Sequence, residues 1–386
     1  MNQALSATTH TLDELVAEAS RVLTICNACR YCEGFCAVFP AMTRRLDFAQ
    51  DDVHYLANLC HNCGACLHAC QYAAPHEFAV NIPLALSAVR AKTYQDYAWP
   101  PAVAKVYHES GAYMAMLLSG LFTALLLFAA HASHGLWRSG LGANFYAVFP
   151  HNTLAVLFGF SLLAATGALC VGVARFWRAT HGTSLAHSAE SGIKPPDLAR
   201  AATEAATLKY LDGGHGEGCN EESDRYTHAR RHLHHATAGG FMLCLASTSI
   251  ATVYHYVFGW QAPYGWFSVP VILGTLGGIG MVAGTAGLLK LKLRRHPQHV
   301  DAAQKPMDVA FIVLLLAIAA TGLLLLALRA TPLMPLLLCI HLGPVLAFFI
   351  TLPYGKFVHG AYRGAALLKW AIERRVPPNL RLGEGG

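Results

Sequence analysis

Charge is scarce in this sequence. Asp, Glu, Lys and Arg make up 13% of its 386 residues, against about 25% in ordinary soluble domains. That shortage excludes a chain that meets water on every side. In the longest apolar segments it is nearly total: only Asp308 and Arg329 appear, at the two ends of one of them. Proton pumps and cation-coupled transporters need such groups inside the membrane, so ion transport is disfavoured. No secretory leader is expected either, because the N-terminal MNQALSATTH is polar. A nucleotide site is also absent. Residues 278–283, GIGMVA, match G-x-G-x-x-A. No strand precedes them, and no second strand carries an acidic residue about 20 positions later. Gly274/Gly278 and Gly280/Gly284 read instead as small-x3-small pairs that let helices approach closely. Without a flavin or nucleotide site, the chain is not expected to oxidise a substrate by itself.

Grease is what remains. Six apolar segments of about 20 residues, long enough to cross hydrocarbon, lie near 111–131, 152–174, 236–258, 267–289, 308–328 and 333–355. Lysine and arginine gather in 90–110, 175–235, 289–308 and 354–386, while the three opposite connections hold only Arg138 and Arg329. The positive-inside rule then puts both termini and the 175–235 connection in the cytoplasm of a multi-pass inner-membrane protein. The net charge of +6 is thereby a topology signal, and no nucleic-acid partner is expected. The 176–235 connection, Gly-rich at LDGGHGEGCN, is too long for a plain turn. It reads either as a flexible connector or as an element docked on the N-terminal region.

Cysteine is abundant in one place. Cys26, Cys29, Cys32 and Cys36 read C-x2-C-x2-C-x3-C, and Cys60, Cys63, Cys66 and Cys70 repeat the spacing. Three cysteines at x2 spacing wrap one iron–sulfur cube, and the fourth turns toward the other. Two [4Fe–4S] clusters follow, one on Cys26, Cys29, Cys32 and Cys70, the other on Cys60, Cys63, Cys66 and Cys36. Zinc is disfavoured, since its sites use separated C-x2-C pairs or Cys/His mixtures. So many free thiols imply a reducing compartment. Cys170, Cys219, Cys244 and Cys339 are scattered; Cys170, Cys244 and Cys339 lie in apolar helices and read as small core residues. No proline follows the fourth cysteine directly, unlike the small bacterial ferredoxins. Val53, Leu56 and Leu59 recur at helical spacing between the runs, and Thr11 with Glu14 fits a capping box. This resembles the α-helical ferredoxin of fumarate reductases and heterodisulfide reductases.

Of 21 histidines, most fall in polar or loop segments, among them His10, His54, His131, His134, His181 and His187. An ionisable group within a span is a functional candidate by default. His255 lies late in the third span and His341 early in the sixth; His234 and His235 precede the third and His359 follows the sixth. Antiparallel third and sixth spans would pair His255 with His341 and His234 with His359, one b-type haem per pair. The helical phase favours His234 over His235, which stays in reserve.

The order of two cysteine runs, six spans, RRHLHHATAGG, TVYHYVFGW and HLGPVLAFFITLPYGKFVHG is similar over nearly the full length to the tricarballylate-utilisation protein B family, also called CitB. The last histidine pair also resembles the cytochrome b subunit of respiratory nitrate reductases. The resemblance implies a membrane partner that reoxidises a soluble FAD-dependent dehydrogenase on the cytoplasmic side and passes electrons to quinone, with a tricarballylate- or citrate-type substrate. Two other classes remain open. One is a membrane redox sensor, for which the residues after Tyr354 are too few to form a kinase or cyclase; the other is a transporter with an appended ferredoxin. The same electron-transfer role for another flavoenzyme is a variant of the first reading. The expected fold is all-α, an N-terminal α-helical ferredoxin-like domain followed by a six-helix transmembrane bundle. Its parts are 1–105 with both clusters, a hairpin at 106–175, the loop at 176–235, a four-span haem-binding region at 236–360 and a tail at 361–386.

Overall fold

The computed structural model describes residues 11–133, 136, 143–181, 192–299 and 301–376. His10, His134, Arg138, His187 and the end of the expected tail, 377–386, lie outside them. The architecture is all-α, a ferredoxin-like domain of short helices followed by six long apolar ones. The first helix, α1 (Leu12–Cys29), opens with the expected capping box. The Glu14 N–H donates to Thr11 Oγ1 at 3.3 Å and the Thr11 N–H to Glu14 Oε2 at 2.9 Å. Its buried stripe is Leu15, Ala19, Val22 and Leu23. Then follow α2 (Val38–Met42), α3 (Gln50–Leu59), α4 (Ala65–His68) and α5 (Ile82–Asp96). Val53, Leu56 and Leu59 of α3 are all fully buried, so the helical periodicity between the cysteine runs marks a core helix.

The next helix, α6 (Pro101–Ala132), bends at Ser110, whose backbone leaves helical geometry. The bend separates a short arm from the span that begins at Gly111. The other long helices are α7 (His151–His181), α9 (Ala229–Phe258), α10 (Val269–Arg294), α11 (Lys305–Ala327) and α12 (Met334–Thr351). Helices α9 and α10 pack backbone to backbone. A Cβ on Gly240 would fall 2.6 Å from the Gly277 carbonyl oxygen, and one on Gly277 would fall 2.7 Å from that of Gly240. The glycines of α10 are thus a packing stripe: Gly280 and Gly284 both face α9, as do Gly274 and Gly277, whereas Gly278 meets Leu323 of α11.

Two stretches fold more than their composition shows. Within the polar connection, α8 (Pro195–Ala206) is followed by an antiparallel hairpin, β1 (Cys219–Asn220) with β2 (Tyr226–Thr227). Between them, the His215 ring packs edge-on to Phe35 at 4.6 Å. The Asn220 carbonyl oxygen lies where a Cβ on Gly64 would meet it at 2.7 Å. For residues 192–228, docking on the cysteine loops is therefore the arrangement present. At the C-terminus, residues read as the start of a tail form α13 (Val358–Arg375). Tyr362, Ala366 and Trp370 recur every fourth residue, and all three are buried in the core that holds the cysteine loops. Buried charge ties this helix down. Arg45 contacts Asp52 and Glu373 at 2.5 Å each, and the Tyr55 hydroxyl donates to Glu373 at 3.1 Å. On the outer side of α13, Arg374 meets Glu204 at 2.7 Å and Arg375 meets Asp197 at 3.0 Å.

Removing one partner of a buried ion pair strands the other. Glu373→Ala is expected to destabilise the N-terminal domain by about 3–5 kcal/mol, whereas Glu18→Ala, at a half-buried surface pair with Arg21, should cost at most about 1 kcal/mol. Thermal unfolding in detergent checks this; equal midpoints for the two variants would show that α13 is not anchored there.

Candidate functional site

The cysteines sit where helices end. Cys26 and Cys29 close α1, and Arg30 in a left-handed turn (φ 56°) redirects the chain toward Cys32. Gly64, with φ 85°, turns the second loop into α4. Cys26, Cys29, Cys32, Cys66 and Cys70 line a cavity of about 290 Å³ that opens beside the exposed Tyr31. Cys36, Cys60, Cys63 and Cys66 line a tighter one of about 10 Å³. Their mutual electrostatics divide the same way. Burial pushes the Cys26 thiol up to about 12, reinforced by Cys70, Cys32 and Cys29. Burial, with Cys70 and Cys29 as neighbours, does the same to Cys32. Cys36 is raised well above the usual thiol range by burial, then by Cys63 and Cys60. The fourth cysteine of each run thus sits among the first three of the other.

Thiols held protonated by burial and mutual repulsion become good ligands when metal displaces their protons. Among the described residues, no three His, Cys, Asp or Glu side chains could hold a single metal ion. The first set instead rings a hollow, which suits a polynuclear group. The second fits by its four sulfurs, and its walls would have to spread. There, the Asn62 N–H donates to Cys60 Sγ at 3.3 Å. The buried Cys219 of β1 lies against Cys63 and lowers its thiol by hydrogen bonding.

The histidines divide into two groups. His234 on α9 and His359 on α13 face each other, with ring centroids 5.9 Å apart and planes at 77°. Two rings sharing one metal through bonds of about 2 Å each would have centres roughly 6 Å apart. His359 Nδ1 donates to the Lys356 carbonyl, which leaves Nε2 free and fixes the tautomer. Burial, then Arg363, His234 and Lys356, holds its pKa well below the usual range, so the ring stays neutral as a ligand must. His235 points elsewhere, its Nε2 donating to the Ala206 carbonyl at 3.0 Å.

His255 and His341 are not in ring contact. His255 stacks on His151 at 3.6 Å, beside Tyr146 and Tyr256. His341 Nδ1 lies 3.2 Å from Thr321 Oγ1, whose hydroxyl donates to the Ala317 carbonyl. The glycine stripe holds α9 against α10, and the C-terminal end of α9 meets the start of α7. His151 was not singled out from the sequence, although an ionisable residue opening an apolar span is a signal. Arg90, Arg230, Arg295 and Arg363, which gather around the second cysteine loop, were also missed. Two of them lie four residues from a singled-out histidine: Arg230 before His234 and Arg363 after His359.

Residues 110–379 match the family model described as "Citrate utilization protein B", and residues 19–96 match "Citrate utilization protein B Fer4-like domain". The chain is 56% identical over 364 residues to a protein of Escherichia coli named "Citrate utilization protein B", covering 94% of each. No solved structure matches it.

The sulfur grouping has a direct consequence for iron-loaded protein. Cys70→Ala should perturb the same EPR signal as Cys26→Ala, and Cys36→Ala the same signal as Cys60→Ala. A Cys70→Ala spectrum that matches Cys60→Ala would contradict the grouping.

Proposed function

The chain belongs to the citrate utilization protein B family, and from that membership we propose that it is a membrane electron-transfer protein. It takes electrons from a soluble FAD-dependent dehydrogenase and delivers them to membrane quinone. The observation that carries this reading is the division of eight cysteines into two sets of four, in a chain that also has six apolar helices and a facing histidine pair. The dehydrogenase substrate is of the citrate type, by analogy with the names of the matched proteins, or of the tricarballylate type that the sequence resemblance implies.

Two [4Fe–4S] clusters and b-type haem, when bound, supply one-electron carriers between a two-electron flavin and the membrane. The residues divide the work. Cys26, Cys29, Cys32 and Cys70 hold the first cluster next to exposed Tyr31 and Phe78, where the dehydrogenase docks. Cys36, Cys60, Cys63 and Cys66 hold the second beneath the 219–227 hairpin, closer to the membrane helices. His234 and His359 hold one haem. The Cys60 carbonyl accepts from Arg363, one turn along α13 from His359, so the second cysteine loop and the histidine pair share a rigid element. His255 and His341 hold a second haem only if α9 shifts relative to its arrangement here. Both termini and the cysteine domain face the cytoplasm of the inner membrane.

Two outcomes test this. In inverted membrane vesicles, an FAD-dependent tricarballylate dehydrogenase and its substrate should reduce the haem of the wild-type chain. Cys70→Ala should keep the haem but reduce it at under about a tenth of that rate. An unchanged rate would mean that electrons bypass the clusters. Separately, His234→Ala and His359→Ala should abolish the same haem absorbance while His235→Ala retains it. Loss in His235→Ala alone would move the site to the other face of α9.

A further inference from the structure

Four arginines from distant parts of the chain converge on the second cysteine loop. Arg90 of α5 donates to the carbonyls of Cys60 at 2.7 Å and Ala57 at 3.2 Å. Arg363 of α13 donates to the same Cys60 carbonyl at 2.7 Å. Arg230 of α9 donates to the Asn62 carbonyl at 2.8 Å, and Arg295, one residue past α10, donates to it as well. One carboxylate answers them: Glu221 lies 3.5 Å from Arg230 and 3.4 Å from Arg295. Among the described residues, Arg90 and Arg363 have no acidic partner, and Arg363 Nε is buried without an acceptor.

Buried positive charge without a counter-charge costs several kcal/mol. Neutral thiols do not balance it. Four thiolates on an iron–sulfur core do, because the assembled group is anionic in both oxidation states and more so when reduced. Among the described residues, the first cysteine run has a single arginine on its carbonyls: Arg30, whose Nε–H donates to Asn27 at 3.1 Å. The charges acting on Cys26 and Cys32 are those of the other cysteines, and neighbouring Arg30 is exposed to solvent.

We propose that Arg90, Arg230, Arg295 and Arg363 form a positive collar that makes the cluster of Cys36, Cys60, Cys63 and Cys66 the higher-potential of the two. This rests on the reading that both sets hold clusters. Positive charge around a cluster favours its reduced, more anionic form and so raises its potential. One electron then leaves the first cluster, which is oxidised, and enters the second, which is reduced; no bond or proton changes hands. The arginines touch carbonyls rather than sulfur, so they are positioning residues that act through the field. Two of them extend that field toward the membrane, since Arg230 precedes His234 by one helical turn and Arg363 follows His359 by one.

The experiment is a dithionite titration of the purified, cluster-loaded chain followed by EPR, with the second-set signal identified as the one lost in Cys60→Ala. In wild-type protein that signal should appear at the more positive potential. Arg363→Gln and Arg295→Gln should each lower its reduced-to-oxidised ratio at fixed ambient potential at least tenfold, about 59 mV for a one-electron couple. The first-set signal should stay in place, and Arg363→Lys should recover most of the loss. An unmoved second-set signal in the glutamine variants, or equal movement of both signals, overturns the collar. Arg295→Gln keeps the test decisive if Arg363→Gln fails to assemble. Two normal clusters at equal potentials would sink the collar but leave the electron-transfer reading standing, whereas wild-type protein that takes up no clusters would sink both.

Discussion

The backbone of Cys60 to Asn62 is the point on which the structure turns. Its carbonyls accept from side chains of α5, α9 and α13 and from the residue just past α10. Those elements are far apart in sequence, and two of them are spans. The loop is therefore clamped between the ferredoxin-like domain and the membrane helices. Backbone carbonyls satisfy the arginine donors but do not neutralise their charge. That distinction makes the clamp a hydrogen-bonded structure and an electrostatic site at once.

Elsewhere the chain keeps charge at the ends of its apolar helices. Asp308 at the start of α11 is held between Lys292 and Lys356, the latter at 2.9 Å. Arg329, just past the other end of α11, donates to the Tyr264 carbonyl at 2.9 Å and lies over the Trp266 ring. Both groups that seemed out of place in an apolar sequence are thus partnered where the span ends. Between them, His341 contacts Thr321.

Much of this was legible in advance because it is local. Cysteine spacing, the Thr11/Glu14 box, the α3 stripe and the six apolar stretches each need only a short window. What was hidden depends on distant residues meeting. Residues 361–375 were read as part of a tail, yet within α13 Tyr362, Ala366 and Trp370 are buried against the cysteine domain. LDGGHGEGCN left connector and docked element undecided, because a glycine run fits both; here Gly214 closes on Phe35 and Gly218 on Thr227 of the hairpin. His234 rather than His235 lies opposite His359, although the single helix assumed to run from His341 to His359 is divided into α12 and α13. Pairing two spans alone could not foresee that His255 would stack on His151 of α7, out of ring contact with His341.

The central claim is that one chain carries two separate cubes beside haem. The most direct measurement is acid-labile sulfide and haem determined together on the purified, anaerobically prepared protein. The account predicts about eight sulfides per chain, four for each cube, with at least one b-type haem. About four sulfides, or tightly bound zinc in place of sulfide, would contradict it.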